Sequence, residues 1–497
     1  MVVAYKSSKS SKNSILPILL IVLFAQTYLI QAEGGFDLSW HLRAGIQIAD
    51  QHSITLQDSY AFAGTDRVWI NHEWLADLIL GSTYQNLGSV GLVLLRGSLF
   101  VSIALLTFET LVLIYDARIF VALIVSAIIN PVLGQFANLR PQTFSLLFLG
   151  AIILIFERYR FRRSLSIWLL PPLFVIWVNT HGSFIFGMIV TLISIASLLT
   201  NRDGNGAISK GERGELAVVL ILCGLAALVQ PFGLDLFWYL DKEMRSSHAF
   251  IPEWRMLGGN QWWAFILFVV LPLASFIFSP KSGRYCNLVI LLLTGILTIL
   301  HSRFLPYAAI FGTVVFFESL ATRFDGSVCE LNTFFEPIKR RRILLAIAIL
   351  ATVPAALRIS VFGLQLVSAP NAIPAQALEF LKNSHVGSKL ILPVQWGGSA
   401  IWALNPEYRV SIDGRNVSAY KSDYFDGYNK AFVNGNVKGV LELAPGDVWL
   451  VARGKKVETA RRKDAAWKIL FEDEDAVVYG SATANSLEIK GSRKKDT

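Results

Sequence analysis

The sequence predicts a polytopic α-helical membrane protein of about eleven transmembrane helices, with a small C-terminal extracytoplasmic α/β domain. Three observations predict it. Of 497 residues, 54% are hydrophobic and only 16% charged, against about 25% charged in a soluble domain. Apolar runs near the ~20 residues that a bilayer core demands recur up to residue 365. Beyond it they give way to short β-rich runs broken by Gly, Asn, Asp and Pro. The net charge of +9 is concentrated in short loops, as the positive-inside rule requires, so no nucleic-acid partner is called for.

The first apolar run, Ser14–Ile30, follows Lys6, Lys9 and Lys12. It is long for a signal peptide and "IQAEGG" is a poor cleavage site, so it reads as a retained anchor. Further spans fall near 92–115, 118–136, 142–158, 165–178, 183–200, 214–230, 262–279, 286–301, 304–320 and 343–362. Basic residues after spans four, six, eight and ten all lie on the N-terminal side (Arg158–Arg163, Arg202–Arg213, Lys281–Arg284, Arg323–Arg342). That places the N-terminus in the cytoplasm, and the first loop (32–90) and the tail outside a cytoplasmic membrane. Two domains follow: 1–365, transmembrane with its first outer loop, and 366–497. The tail opens on an amphipathic helix, "PNAIPAQALEFLKNS", and continues with the strand candidates "KLILPV", "YRVSIDGR", "DVWLVA" and "DAVVYG". The sequon at Asn416 is a short and common match. Cys223, Cys286 and Cys329 show neither zinc nor redox spacing.

Ionisable groups in a membrane face a cavity or a partner, because at the bilayer centre each costs at least ~2.5 kcal/mol. Here they gather at the outer turns. "ANLRPQTF" places Arg140 and Gln142 there, and "WVNTHGSF" places Asn179 and His181. "LVQPFG" adds Gln230, "FIPEWR" adds Glu253 and Arg255, and "LHSRFLPY" adds His301 and Arg303. Taken singly, each suits an interfacial anchor or cap. Five of the seven histidines (His41, His72, His181, His248, His301) lie on this side, and together they point to a polar cavity opening outward.

In the first loop, "NHEWLADLILGSTYQNLG" reads as a helix with Asn71 as N-cap and Gly88 as stop. Glu73 then falls in its first turn, where an acid suits the helix dipole as well as it suits catalysis. "DLSWHLRAGIQIAD" fits both a strand and a helix by periodicity. Asp37 follows two glycines within a few residues of the first span. That position sets a carboxylate near the membrane surface, within reach of a group carried by a lipid. His41 serves equally as an interfacial histidine or a functional one, and Arg43 reads as an interfacial anchor.

These residues resemble the GT-C superfamily of polyprenyl-phosphate-dependent glycosyltransferases, in particular bacterial members of dolichyl-phosphate-mannose-transferase type. The matching stretches are "FDLSWHLRAG", "WINHEWLADL", "LRPQTFSLLFL", "WVNTHGSF", "HSRFLPY" and a tail with "VQWGGSAIW" and "YRVSIDGRN". The resemblance implies an enzyme that moves a hexosyl or pentosyl group from a polyprenyl-phosphate-linked donor to a glycan, lipid or protein acceptor among membrane lipids. It implies Asp37, with His41 and Glu73, as the catalytic group, Asp37 being the base. It implies Arg140, Asn179, His181, Glu253, His301 and Arg303 around the substrate, the arginines gripping the departing phosphate. Many members carry paired acids in the first loop. Here Leu38 and Ser39 follow Asp37 and Glu33 lies four residues back. No cofactor is therefore assigned, and a divalent metal (Mg or Mn) would need a second carboxylate from Glu73 or Asp58. The alternatives are a transporter or flippase for a lipid-linked glycan, an O-antigen ligase- or polymerase-like enzyme, and a non-enzymatic scaffold. Polar groups at one face rather than the midplane, and no internal repeat, rank transport second.

Overall fold

The computed structural model describes residues 16–25, 27–30, 37–65, 68–115, 118–200, 208–245, 254–278, 285–323, 338–350, 352–362 and 373–481. Glu33 and Glu253 lie outside them. The chain forms two compact units: a helical unit of residues 1–31, 87–233 and 251–366, and a sheet-bearing unit of residues 32–86, 234–250 and 367–497.

In the helical unit, helices lie on the apolar runs. Among the described residues three are long and apolar enough to cross a membrane: Trp74–Ile114, Gly259–Ile277 and Ser302–Leu320. Shorter apolar helices cover Arg118–Gly134, Leu165–Val178, Phe184–Leu199 and Tyr285–Leu300. Their ends follow local chemistry. Pro141 starts Pro141–Arg162 behind an extended Arg140, where its missing N–H costs nothing. Ser209 and Glu212 close a capping box on Lys210–Ala226. Tyr285–Leu300 packs against Leu305–Arg323, which also packs on Leu271–Phe278. Large aliphatic side chains face outward, Ile221 at 62% and Ile277 at 72% exposure. Water would penalise such a surface and lipid does not. The chain is a membrane protein.

Gly88 stops the helix that begins at Trp74: its backbone is non-helical (φ 60°, ψ −154°), a conformation that a side chain would resist, and it divides Trp74–Ile114 into two helices. Asn71 is not the N-cap; its amide donates to Asp77.

The sheet-bearing unit is built on five strands: β1 Lys389–Ile391, β2 Arg409–Val410, β3 Val448–Ala452, β4 Trp467–Glu472 and β5 Ala476–Ser481. Their order is β2-β1-β3-β5-β4. β1 runs parallel to β2 and β3, so helical crossovers are needed there. The β4–β5 hairpin adds the antiparallel edge. The expected helix appears as Ala375–Ser384, and "VQWGG" opens a second one, Val394–Leu404. The periodicity of "DLSWHLRAGIQIAD" resolves as a helix, Leu38–Gln51.

This first-loop segment shares one core with the tail. Trp40, Ala44, Tyr60 and Trp69 pack with Leu390, Tyr420 and Trp449. Backbone bonds join them: Val410 N–H donates to the Tyr60 carbonyl at 2.9 Å, and Phe62 N–H to the Val410 carbonyl at 3.1 Å. Burying an aromatic side chain of this size is worth about 1.5–3 kcal/mol, so the loop is held by packing as much as by its backbone.

Candidate active site

In the sheet-bearing unit the site grows from a helix crossing. Gly45 and Gly81 meet there; a Cβ on Gly45 would collide with the Asp77 carbonyl, and one on Gly81 with the Gly45 backbone. His41 lies one turn before Gly45, and Asp77 one turn before Gly81. The close approach therefore sets imidazole against carboxylate. His41 Nδ1 is 2.6 Å from Asp77 Oδ1, and Asn71 Nδ2 donates to Asp77 Oδ2 at 2.8 Å. Asp77 is fully buried and His41 is 3% exposed. Burial by itself lowers the imidazole pKa, but the charge and hydrogen bond of Asp77 outweigh it, with Glu73 and Asp37 adding, and the net shift is upward.

Asp37 stands at the N-cap of Leu38–Gln51 yet makes no side-chain capping bond. Its φ and ψ (−89°, −29°) are helical, whereas a capping residue needs an extended backbone to fold its side chain back. The carboxylate lies instead over Gly414, where a Cβ would run into Oδ1. Gly414 belongs to the "DGRN" turn, whose arginine is a structural hub. Arg415 donates to Asp413 Oδ2 at 2.8 Å and Asp58 Oδ1 at 2.7 Å, all three side chains being fully buried. Its guanidinium packs 4.8 Å from the Trp69 ring centroid and 5.0 Å from that of Tyr60. Tyr420 donates to Asp413 at 2.6 Å, and burial pushes its phenol well up. Asp58 is thus taken by Arg415 and Asp77 by His41 and Asn71. Among the described residues no group of three His, Cys, Asp or Glu side chains could hold a metal ion, and Asp58, one of the two carboxylates that would complete a Mg or Mn site with Asp37, is committed to Arg415. Asn416 is 5% exposed and bonds Glu243, which withdraws the sequon from solvent.

Glu73 precedes the helix Trp74–Ile114, its carbonyl accepting from Asp77 N–H. Its carboxylate is 3.8 Å from His72 Nε2. Burial depresses His72 to about 4, against the pull of Glu243.

In the helical unit a cavity of about 370 Å³ is lined by Asn138, Arg140, Gln142 and Thr143 of "ANLRPQTF", with Arg255 and Ser302. Arg303 donates to Gln142 Oε1 at 3.3 Å and stacks 4.4 Å over Trp254. His301 Nδ1 lies 2.8 Å from the Trp254 carbonyl. His181 Nδ1 accepts from Ser183 N–H and contacts the Ser145 hydroxyl at 3.1 Å. Tyr307 lies in the same polar cluster as Ser183, Ser145 and Gln142. Asn179 donates to two backbone carbonyls, Val175 and Val229.

The fold has known counterparts. No family model matches the chain, and no curated protein matches it in sequence. Among solved structures, the Archaeoglobus fulgidus oligosaccharyltransferase AglB matches with TM-score 0.60 at 11% identity over 90% of this chain and 70% of its own, in complex with an inhibitory peptide and a dolichol-phosphate. ArnT from Cupriavidus metallidurans matches with TM-score 0.52 at 12% identity over 94% of this chain and 97% of its own. A second ArnT structure that matches is bound to undecaprenyl phosphate. The fold is that of the GT-C glycosyltransferases. The mycobacterial arabinofuranosyltransferase AftD has it too, with TM-score 0.52 at 12% identity over 94% of this chain and 39% of its own. At these identities the likeness carries the GT-C fold alone.

Within each unit the structure brings several sequence-predicted residues together: Asp37, His41 and Glu73 in one, Arg140 and Arg303 through the Gln142 corner in the other. Sequence reasoning missed Asp77, Gly414 and the hub role of Arg415. A glycine four residues after His41 and another four after Asp77 were the available signal for the first.

Proposed function

We propose that this chain is a glycosyltransferase of the outer face of the cytoplasmic membrane. It transfers a sugar from a polyprenyl-phosphate-linked donor to an acceptor hydroxyl on a glycan, lipid or protein. About eleven crossings, with the N-terminus inside and the tail outside, belong to the same reading. The observation that supports it most is Asp37: a first-loop carboxylate in a GT-C fold, at a cap position but making no capping bond, seated over Gly414. In the reaction Asp37 takes the acceptor's hydroxyl proton as general base. The acceptor oxygen forms a bond to the anomeric carbon while the bond from that carbon to the lipid phosphate breaks, and the phosphate keeps the electron pair. Arg140, Arg255 and Arg303 meet that charge; a guanidinium offers paired donors to phosphate oxygens. His41, fixed by Asp77, positions the first-loop helix beside Asp37, and Glu73 adds negative charge to the same neighbourhood.

The test is release of polyprenyl phosphate from polyprenyl-phosphate hexose and pentose donors by purified protein. Asp37→Asn is expected to lower release about 10²- to 10⁴-fold with donor binding kept. Full activity of the variant would sink the assignment.

A further inference from the structure

The helix Leu38–Gln51 has a second polar face. Trp40, Ala44 and Ile48 enter the core, whereas Arg43, Ile46, Gln47 and Asp50 follow at spacings of three, four and seven. That face lines a cavity of about 370 Å³, with Ser59, Asn405 and Arg409 opposite. The volume falls in the range of small-molecule sites, about 300–1,000 Å³.

The lining is held in place without being neutralised. Arg43 Nη2 donates to the Asn405 carbonyl at 3.0 Å and to its side-chain oxygen at 3.2 Å. Tyr60 donates to Gln47 Oε1 at 2.5 Å, and Gln85 to Asp50 Oδ1 at 2.8 Å. Arg43 is therefore oriented by a neutral amide. Among the described residues, neither Arg43 nor Arg409 has a carboxylate in ion-pair range. Arg415 of the same unit shows the contrast, with two buried carboxylates closing its donors.

The geometry points to a binding site for an acidic sugar, one ring bearing a carboxylate or a phosphate. Two guanidiniums supply forked donors for the anion. Asp50, Gln47 and Ser59 supply acceptors and donors for ring hydroxyls. A lipid tail finds little apolar surface here, which disfavours a phospholipid occupant. The inference stands on this unit alone and does not depend on the transfer reaction.

The test uses the full-length protein in detergent and isothermal titration with four probes: trigalacturonate, glucose 6-phosphate, a neutral galactose trimer and phosphatidylglycerol vesicles. Trigalacturonate or glucose 6-phosphate is expected to bind, and comparing the two identifies the anion. The neutral trimer is expected not to bind, and affinity is expected to fall with salt. Arg409→Gln, at an exposed position, and Arg43→Gln should each weaken binding about tenfold or more, while Lys430→Gln on the exposed surface should not. Asp37→Asn should bind like wild type, which separates this site from the catalytic one. The inference is overturned if neither acidic probe binds, if the neutral trimer binds as well, if the arginine variants match wild type, or if the vesicles displace the acidic probe.

Discussion

Gly414 and Asp37 are in contact such that any side chain at 414 would meet the carboxylate oxygen. The atom that would have to yield is the tip of the Asp37 side chain, not backbone. Gly414→Ala is therefore expected to displace the carboxylate while leaving the fold intact. A displacement of about 1 Å can cost ~10²-fold in rate. Transfer should fall by that order with the melting temperature nearly unchanged; an equal loss of both would assign Gly414 to the fold instead.

The Arg415 hub should behave in the opposite way. Its partners Asp58 and Asp413 are buried, so Arg415→Met leaves two carboxylates without their cation. Breaking such a buried pair costs about 3–5 kcal/mol. Thermal unfolding of the variant should show that loss of stability.

The corner arginines should separate binding from chemistry. Arg303→Gln and Arg140→Gln are each expected to weaken donor use roughly 10- to 100-fold. Arg303→Lys should recover only part, since an ammonium cannot reproduce the fork or the stacking on Trp254. Initial-rate kinetics against donor concentration read this directly.

Two histidines give the pH dependence opposite signs. His41 has its pKa raised by Asp77. The stability it contributes is complete below the unfolded value of about 6.5 and is lost as pH rises through the folded value. Asp77→Asn should abolish that alkaline loss. His72 is depressed to about 4, so its fold is favoured above about pH 6.5 and weakens as pH falls from there towards 4. His72→Gln should flatten the acid limb. Melting temperatures of the two variants and the wild type between pH 4 and 9 check both.

The helical unit was legible because long apolar runs leave one solution in lipid, a helix. Turn residues such as Arg140 and Gln142 could be placed because the helix ends are written in Pro141 and the apolar pattern. The strands β1, β2, β3 and β5 showed as short β-branched runs, while β4, "WKILFE", carries no clean alternation and was missed. The first loop was harder to read. Its periodicity was ambiguous because Trp40, His41 and Leu42 are buried in succession, against both the helix and the strand pattern. The Asp77 and Gly414 partnerships were hidden for another reason. They depend on which segments meet: Gly45 and Gly81 mark the crossing that joins His41 to Asp77, but nothing local to Asp37 announces Gly414 so far along the chain.

That separation has a consequence for how the protein is made. Arg415 reaches Asp58 across 357 residues. At a synthesis rate of about 5–20 residues per second, the first loop waits roughly 20–70 s for the segment that completes its core. Until the tail has been translated, Trp40, Tyr60 and Trp69 lack their packing partners. The assembly of the Asp37 region is thereby timed by the end of translation, and a chain cut short before the "DGRN" turn would reach the membrane with its first loop unfinished.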